Sequence, residues 1–312
     1  MQKDASIYIA GHRGLVGSAI HRCLQAKGYS NFVLRTHAEL ELCDQAAVAK
    51  FFADEKPDYV FLAAAVVGGI HANDTRPVDF LQYNLQIQNN IIDSAWKNET
   101  SKLAFLGSTC IYPRDCPQPM KEDYLLTGPL EKTNEWYAIA KIAGIKLCQA
   151  YRKQYGFNAI SMMPTNLYGP GDNFDLLSSH VLPALIRKFH EGKVNGSDSV
   201  EIWGTGKPFR EFLYVDDMAD ACCFLMENYD EPEIVNIGTG KDISIADLAK
   251  LIKNIVGFEG EIVYDNSRPD GTPKKLIDVT RLTNLGWTSS TSLEEGIRQT
   301  YDWYVNNQDN NN

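Results

Sequence analysis

A tyrosine and a lysine lie one helical turn apart in a segment that has the pattern of a long helix. Tyr137 and Lys141 form a Tyr-x-x-x-Lys pattern, so their polar ends lie on one helix face. A phenol has a pKa of about 10 and is a weak acid–base catalyst at neutral pH. A neighbouring ammonium favours the phenolate, so we expect Lys141 to lower the pKa of Tyr137. The pair predicts acid–base chemistry.

Ser108 is a third residue that could take part in this chemistry. It ends an apolar, strand-like run, and its hydroxyl can donate a hydrogen bond to the same carbonyl oxygen as Tyr137. Tyrosine and lysine at this spacing occur by chance on many helices, so the pair alone is a weak signal. With Ser108 and the glycine-rich loop described next, a chance match becomes improbable.

A glycine-rich loop near the N-terminus predicts a dinucleotide site. Gly11, Gly14 and Gly17 lie between a short apolar strand and a helix. Glycines at such a turn let the backbone approach a pyrophosphate, which binds the N–H groups at the start of the helix. A simple tight turn is the alternative, and the position after the first strand makes it less favourable. The residues assigned to this site are Gly11, His12, Arg13, Gly14, Leu15, Val16 and Gly17.

Two arginines favour NADP(H) over NAD(H). An NAD site usually has an acidic residue about 20 positions after the glycines. Here the second predicted strand is followed by Arg35, and Arg13 lies inside the loop. Two guanidiniums suit a 2′-phosphate, which an acidic side chain would repel. A pair of solvated surface arginines is the alternative, and we expect Asp44 to face the adenine edge.

Composition excludes several classes of protein. The chain has 312 residues, with 44% hydrophobic and 22% charged residues, which is unlike a disordered chain or a coiled coil. A net charge of −10 argues against a broad nucleic-acid surface. No apolar run approaches the roughly 20 residues of a membrane span. The odd number of cysteines, 7, and the lack of zinc-site spacing predict a reduced, cytoplasmic protein without a structural metal.

Strands and helices alternate through the first half of the chain. This order predicts a Rossmann-type α/β fold, a doubly wound parallel sheet with helices on both faces. We expect residues 1–165 to form the NADP(H)-binding domain and residues 166–312 a smaller C-terminal α/β substrate lobe, with some chain exchange between the lobes. The predicted strands are 7–10, 32–34, 59–65, 103–108 and 159–163, and the helices are 15–26, 45–55, 84–96 and 134–155. Short elements follow at 200–203, 234–237, 245–256, 261–264 and 293–306.

Taken together, these residues resemble the extended short-chain dehydrogenase/reductase family. The resemblance covers nearly the whole chain and is carried by residues 10–17, 62–70, 105–113, 134–146, 163–170, 203–217 and 269–273. The Gly-Ser-Thr-Cys-Ile-Tyr-Pro run at 107–113 and the Ser179-His180 pair are similar to one branch of the family. That branch epimerises and reduces a GDP-linked sugar.

For this chain, the resemblance implies NADPH-dependent conversion of GDP-4-keto-6-deoxy-D-mannose to GDP-L-fucose. Carbons 3 and 5 of the substrate lie next to the carbonyl, so their protons are acidic. The resemblance implies that Cys110 is the base and His180 the acid for their inversion. Ser108 and Tyr137 would stabilise the enolate oxygen, and Tyr137 would later donate a proton as hydride reaches carbon 4. Without the resemblance, a lone cysteine is more often a buried apolar residue, and a lone histidine a cap or packing residue.

The resemblance also implies binding residues. Those assigned to the cofactor, beyond the glycine loop, Arg35 and Asp44, are Leu106, Gly107, Ser108, Thr109, Lys141, Pro164, Thr165, Asn166, Leu167 and His180. Those assigned to the GDP-sugar are Lys188, Trp203, Arg210 and Asp270. Lys188 stands where relatives can have arginine, so it offers a point charge in place of a two-pronged contact.

Other readings stay open at this stage. A sugar-nucleotide 4-epimerase or 4,6-dehydratase would use tightly bound NAD and would not need Cys110 together with His180. A dehydratase would also need a glutamate beside its catalytic hydroxyl, where this chain has Thr109 and Cys110. A non-catalytic NADPH-sensing protein is a further alternative. We expect a homodimer, in which the helix at 84–96 and the Tyr137 helix pair across a two-fold axis.

Overall fold

Short apolar strands and amphipathic helices alternate through the computed structural model. It describes residues 1–176, 178–267 and 270–307, and for residues 70 and 71 only the backbone. Pro269, at the start of the matched segment 269–273, lies outside the described residues. The strands are β1 Ile7–Ala10, β2 Phe32–Val33, β3 Tyr59–Leu62, β4 Lys102–Leu106, β5 Ala159–Pro164, β6 Asn166–Tyr168, β7 Ser199–Trp203, β8 Phe209–Tyr214, β9 Val235–Ile237, β10 Asp242–Ser244, β11 Glu261–Asp265 and β12 Lys274–Lys275. The helices are α1 Leu15–Ala26, α2 Gln45–Glu55, α3 Ile70–Thr75, α4 Asn84–Lys97, α5 Glu135–Tyr155, α6 Val181–Asn195, α7 Val215–Asn228, α8 Ile245–Val256, α9 Thr280–Asn284 and α10 Leu293–Asn306.

In the described part of the chain, six parallel strands form the main sheet. Their order is β2-β1-β3-β4-β5-β9, with β1 between β2 and β3. The side chains of β1 alternate between the two faces: Ile7 and Ile9 pack toward α1 and α7, whereas Tyr8 packs toward α2. Both faces are covered by helices, which explains why β1 and β4 are buried along their whole length. The predicted Rossmann-type α/β fold is confirmed.

A second layer of structure lies beyond β5. Strand β8 pairs with β10, β12 and β6, while β7 pairs with β11. Helices α6, α8 and α10 enclose a separate apolar core with these strands. The chain returns to the main sheet in between, because α7 packs against α1 and β9 pairs with β5. The chain thus passes between the two layers more than once, and the domain boundary at residue 165 stays a prediction.

Most predicted elements agree with the structure to within a few residues. The helices predicted at 15–26 and 45–55 have those bounds, and the short elements expected at 245–256 and 293–306 are helices with those bounds. The strand predicted at 59–65 ends at Leu62, where the main sheet stops and the site begins. Strand β8 and helix α6 were not predicted. Among the described residues, no helix combines the length and apolarity that crossing a membrane requires.

Candidate active site

The polar residues of the site lie where strands of the main sheet end. Gly11 follows β1, Gly107 and Ser108 follow β4, and Thr165 follows β5. The carboxyl ends of parallel strands share one edge of the sheet, where ligands of such folds bind. Helix α5 begins beside this edge and carries Tyr137 in its first turn. The sheet therefore brings together residues that are far apart in the sequence.

The glycine loop has the shape that a pyrophosphate requires. Gly11 has φ +83°, and a side-chain carbon there would come within 2.9 Å of the Ala64 backbone. A side-chain carbon on Gly17 would come within 2.2 Å of the Gly11 carbonyl oxygen. Helix α1 begins after Gly14, which has no side chain to bond the N–H groups of the first turn. The loop and helix start therefore fit a phosphate-bearing ligand.

Two of the three residues assigned to the adenosine end, Arg35 and Asp44, already have partners within the chain. Arg35 pairs with Glu55 and donates to the Leu34 carbonyl, while the Arg13 side chain is exposed. Asp44 is the N-cap of α2, and its Oδ1 accepts the N–H groups of the second and third helical residues at 2.9 and 3.0 Å. Cofactor contacts of Arg13, Arg35 and Asp44 stay predictions.

Ser108, Tyr137 and Lys141 form a connected group. Ser108 Oγ accepts the N–H of Cys110 at 3.2 Å, and its hydroxyl hydrogen-bonds Tyr137. Lys141 Nζ donates to the carbonyl of Leu106 at 2.8 Å and lies 5.7 Å from the centroid of the Tyr137 ring. The three polar side chains therefore line one end of β4.

The sequence predicts a lowered pKa for Tyr137, and this prediction is wrong. Burial raises the pKa of Tyr137 and nearby Cys110 raises it further, while the hydrogen bond from Ser108 lowers it. Burial also lowers the pKa of Lys141 to about 8. Desolvation of the phenolate therefore outweighs the effects that would lower the pKa of Tyr137. At neutral pH the phenol keeps its proton and Lys141 is still largely protonated.

Cys110 and His180 lie on different elements, the turn after β4 and the start of α6. Cys110 lies in a 3₁₀ turn, Thr109–Ile111, directly after Ser108. The Nδ2 atom of Asn134 donates to Cys110 Sγ at 3.4 Å. His180 is the N-cap residue of α6, and its side chain forms no capping bond. His180 is exposed, but the protein around its side chain lowers the pKa of the imidazole by desolvation.

The residues assigned to the GDP-sugar form two pairs. Lys188 Nζ lies 5.3 Å from the centroid of the Trp203 ring and donates to the carbonyl of Glu201 at 2.9 Å. Burial lowers the pKa of Arg210, and the charge of Asp270 opposes this effect. The Asp270 carboxylate accepts the N–H and the hydroxyl of Thr205 at 2.7 and 2.8 Å. Lys188 therefore offers a positive charge beside a flat apolar face, and Arg210 interacts with Asp270 through charge.

Two residues of this region were missed by the sequence reasoning. Glu211 is fully buried and accepts the backbone N–H groups of Thr239, Gly240 and Ile277 at 2.6 to 2.9 Å. The backbone carbonyl of Glu211 accepts a hydrogen bond from Asn166 Nδ2 at 2.7 Å. This bond links Asn166, a residue assigned to the cofactor, to strand β8. An acidic residue inside the apolar run 209–214 was the available signal. Asn134 carried none beyond its place as the first residue of the predicted helix 134–155.

Among residues 1–176, 178–267 and 270–307, no group of three or more histidine, cysteine, aspartate and glutamate residues is placed to hold a metal ion.

Comparison with known proteins gives concordant matches. The model described as "NAD dependent epimerase/dehydratase family" matches residues 7–238. GDP-L-fucose synthase 1 of Arabidopsis thaliana is 62% identical over 305 residues, covering 98% of this chain and 94% of the relative. A solved GDP-6-OMe-4-keto-L-xylo-heptose reductase from C. jejuni is 43% identical with a TM-score of 0.94, covering 98% of this chain and 99% of its own. A GDP-L-fucose synthetase from Naegleria fowleri, solved with NADP bound, is 30% identical with a TM-score of 0.91, covering 99% of this chain and 96% of its own.

Proposed function

This chain belongs to the NAD dependent epimerase/dehydratase family, and from that membership we propose that it converts GDP-4-keto-6-deoxy-D-mannose to GDP-L-fucose with NADPH. The substrate follows from 62% identity over 98% of the chain to a GDP-L-fucose synthase. The structural observation that carries the proposal is the Ser108–Tyr137 hydrogen bond with Cys110 beside it. In this arrangement the hydroxyls of Ser108 and Tyr137 can bind the carbonyl oxygen of the sugar. The Cys110 thiol would then lie near the carbons on either side of that carbonyl.

The cofactor of the enzyme is NADP(H). Its pyrophosphate would lie on the glycine loop and the start of α1, where side-chain carbons are excluded. Arg13 and Arg35 would bind the 2′-phosphate, and Lys141 the ribose next to the nicotinamide. When bound, NADPH supplies the hydride that reduces carbon 4 of the sugar.

Epimerisation needs one group that removes a proton and another that returns one to the opposite face. We assign removal to Cys110 Sγ and return to a ring nitrogen of His180. As each proton leaves, Ser108 and Tyr137 donate hydrogen bonds to the oxygen of the enolate. The desolvation that lowers the pKa of His180 also makes its protonated ring a stronger acid.

Reduction needs a proton on the oxygen of carbon 4. Burial keeps the phenol of Tyr137 protonated at neutral pH, so Tyr137 Oη holds the proton that this oxygen receives. Once that oxygen is protonated, the Ser108 hydroxyl turns to donate to Tyr137 Oη and stabilises the negative charge left on the phenol oxygen. One oxygen-binding site thus serves both the epimerisation and the reduction.

We assign the GDP portion to the second lobe. Lys188 and Arg210 offer positive charge to the diphosphate, Trp203 offers an apolar face, and the Asp270 carboxylate suits guanine N–H groups. Burial of Arg210 strengthens its attraction for a phosphate, because water screens the charge less there.

The homodimer and the cytoplasmic location belong to the proposal as well. Helices α4 and α5 pack together, and Tyr83, Trp136 and Ile139 near them are 43%, 38% and 41% exposed. Large apolar groups left in water favour a face that a second copy covers. Ile139→Glu is expected to yield monomers in analytical ultracentrifugation, and an unchanged dimer would exclude this face. All 7 cysteines are free, which supports a reducing compartment.

The test separates the two halves of the reaction. GDP-4-keto-6-deoxy-D-mannose is incubated in D₂O with NADPH, while NADPH absorbance and deuterium at carbons 3 and 5 are followed. Oxidation with deuterium at both carbons supports the proposal. Oxidation without deuterium indicates a 4-ketoreductase alone, and no oxidation would refute the reductase assignment. Cys110→Ser should retain NADPH binding and lose deuterium uptake.

A further inference from the structure

The side chain of Asn134 faces Cys110 instead of capping its own helix. Asn134 is the N-cap residue of α5, where asparagine usually accepts a backbone N–H from the first turn. Its side chain makes no such bond. Its Nδ2 donates to Cys110 Sγ at 3.4 Å. A cap of this kind stabilises a helix by about 0.5–2 kcal/mol, so the side chain forgoes a favourable contact to hold the sulfur.

The other end of the same amide has no partner. Asn134 Oδ1 is buried, and it has no hydrogen-bond partner among the described residues. Buried polar atoms without partners are rare in native proteins and require an explanation. A half-turn of the amide would exchange Oδ1 and Nδ2, which are nearly the same size. The side chain can therefore either donate to the sulfur or accept from it.

We propose that Asn134 is a positioning residue for the cysteine base, and that it bonds the sulfur in both of its protonation states. The inference rests on the proposed function, because it takes Cys110 as the base. A thiolate accepts hydrogen bonds, so it pairs with the amide N–H of Asn134. A thiol donates one, so it pairs with Oδ1 after the amide has turned.

The proton balance of epimerisation requires both states. Cys110 Sγ takes a proton from the carbon next to the carbonyl, and the electrons of that C–H bond become those of the enolate. His180 then gives a proton to the opposite face of the carbon. Before the next inversion the thiol releases its proton to solvent and the imidazole takes one up. The sulfur therefore changes from acceptor to donor and back, and Asn134 stays bonded to it throughout.

The backbone around Asn134 holds the amide in place. Asn134 ends a 3₁₀ turn, Lys132–Asn134, that packs against α3. Its own N–H donates to the carbonyl of Glu131 at 3.2 Å, and the Glu131 carboxylate is 3.3 Å from Arg114 Nε. Gly69, which precedes α3, donates to the carbonyl of Ser178, close to His180. The segment that carries Asn134 and the segment that precedes His180 therefore both contact the α3 region.

The decisive variant is Asn134→Ser. Serine is as good an N-cap as asparagine, so α5 should stay as stable, but its short hydroxyl cannot reach the sulfur as the amide does. With NADP⁺ in place of NADPH, reduction is blocked and deuterium uptake from D₂O reports epimerisation alone. We expect uptake to fall by about 10²-fold, the usual effect of misplacing a reacting group by about 1 Å. Melting temperature and NADPH affinity should not change.

Controls separate this inference from the proposed function. Lys132→Ser alters an exposed side chain of the same 3₁₀ turn and should leave deuterium uptake unchanged. Asn134→Gln keeps the amide and should recover part of the uptake that Asn134→Ser loses. Full uptake in Asn134→Ser, when Cys110→Ser has none, would refute the role of Asn134 alone. Full uptake in Cys110→Ser would instead refute the assignment of the base, and the inference with it.

Discussion

Replacing Gly17 by alanine tests whether the glycine loop has room for a side chain. The added carbon would lie 2.2 Å from the Gly11 carbonyl oxygen and 2.9 Å from His12 Cα. Ordinary contact begins at 3.4 Å, so the start of α1 and the loop must separate by about 1.2 Å. Both sides of the clash are backbone, and neither can rotate away. Such overpacking costs roughly 1–3 kcal/mol of stability.

Gly14→Ala is the matched control on the same loop. Its added carbon would find no atom nearer than 3.5 Å, and Gly14 has φ −75°, which alanine adopts without strain. NADPH affinity is measured by fluorescence titration, and stability by urea unfolding of the cofactor-free protein. We expect Gly17→Ala to weaken NADPH binding by about 10²-fold, because the helix start moves by about 1 Å. Gly14 belongs to the same pyrophosphate site, so the control is made on stability: Gly14→Ala should leave the free energy of unfolding within about 0.5 kcal/mol of the parent's, whereas Gly17→Ala lowers it by roughly 1–3 kcal/mol. Equal free energies of unfolding in the two variants would refute the steric reasoning for Gly17.

Three further outcomes follow from particular contacts. Because burial lowers the pKa of Lys141 to about 8, its ammonium is lost as pH rises through that value, and kcat should fall there. Lys141→Arg should move this fall to higher pH, and an unmoved fall would exclude Lys141. Lys102 donates to three carbonyls at the end of α7, so Lys102→Met should lower the urea-derived free energy of unfolding by about 3 kcal/mol. Lys50→Met, at an exposed pair, should change it by less than about 0.5 kcal/mol; equal losses would contradict the burial argument. Arg35→Ala should lower the NADPH-to-NADH ratio of kcat/KM by roughly 10- to 150-fold, since a charged hydrogen bond is worth roughly 1.5–3 kcal/mol. An unchanged ratio would exclude Arg35.

Local patterns predicted the elements with good accuracy where they carried their own start and stop. Helix α2 follows the capping residue Asp44 and ends shortly before Pro57, and helix α8 lies between the N-cap residue Ser244 and the C-cap residue Gly257. Such signals act within one turn and can be read directly from the residues. The sequence did not indicate that strand β9 joins the main sheet, because its partner β5 is far from it along the chain.

Those parts of the active site that depend on short-range patterns could be predicted from the sequence. The glycine loop and the Tyr137–Lys141 pair depend on short spacings, so their residue types already indicate their chemistry. The protonation of Tyr137 was predicted wrongly, because it depends on how deeply β4 and α5 bury the phenol. The Asn134 contact was missed because it joins two turns that only the fold brings together.

The amino-acid sequence alone specifies the alternating parallel architecture, the phosphate-binding loop and the residue types of the oxygen-binding group. Each of these depends on interactions between near neighbours along the chain. Only the tertiary structure decides that Tyr137 keeps its proton, that Asn134 faces sulfur and that β9 completes the main sheet. Desolvation and long-range contacts produce these features, and neither is a property of any short segment.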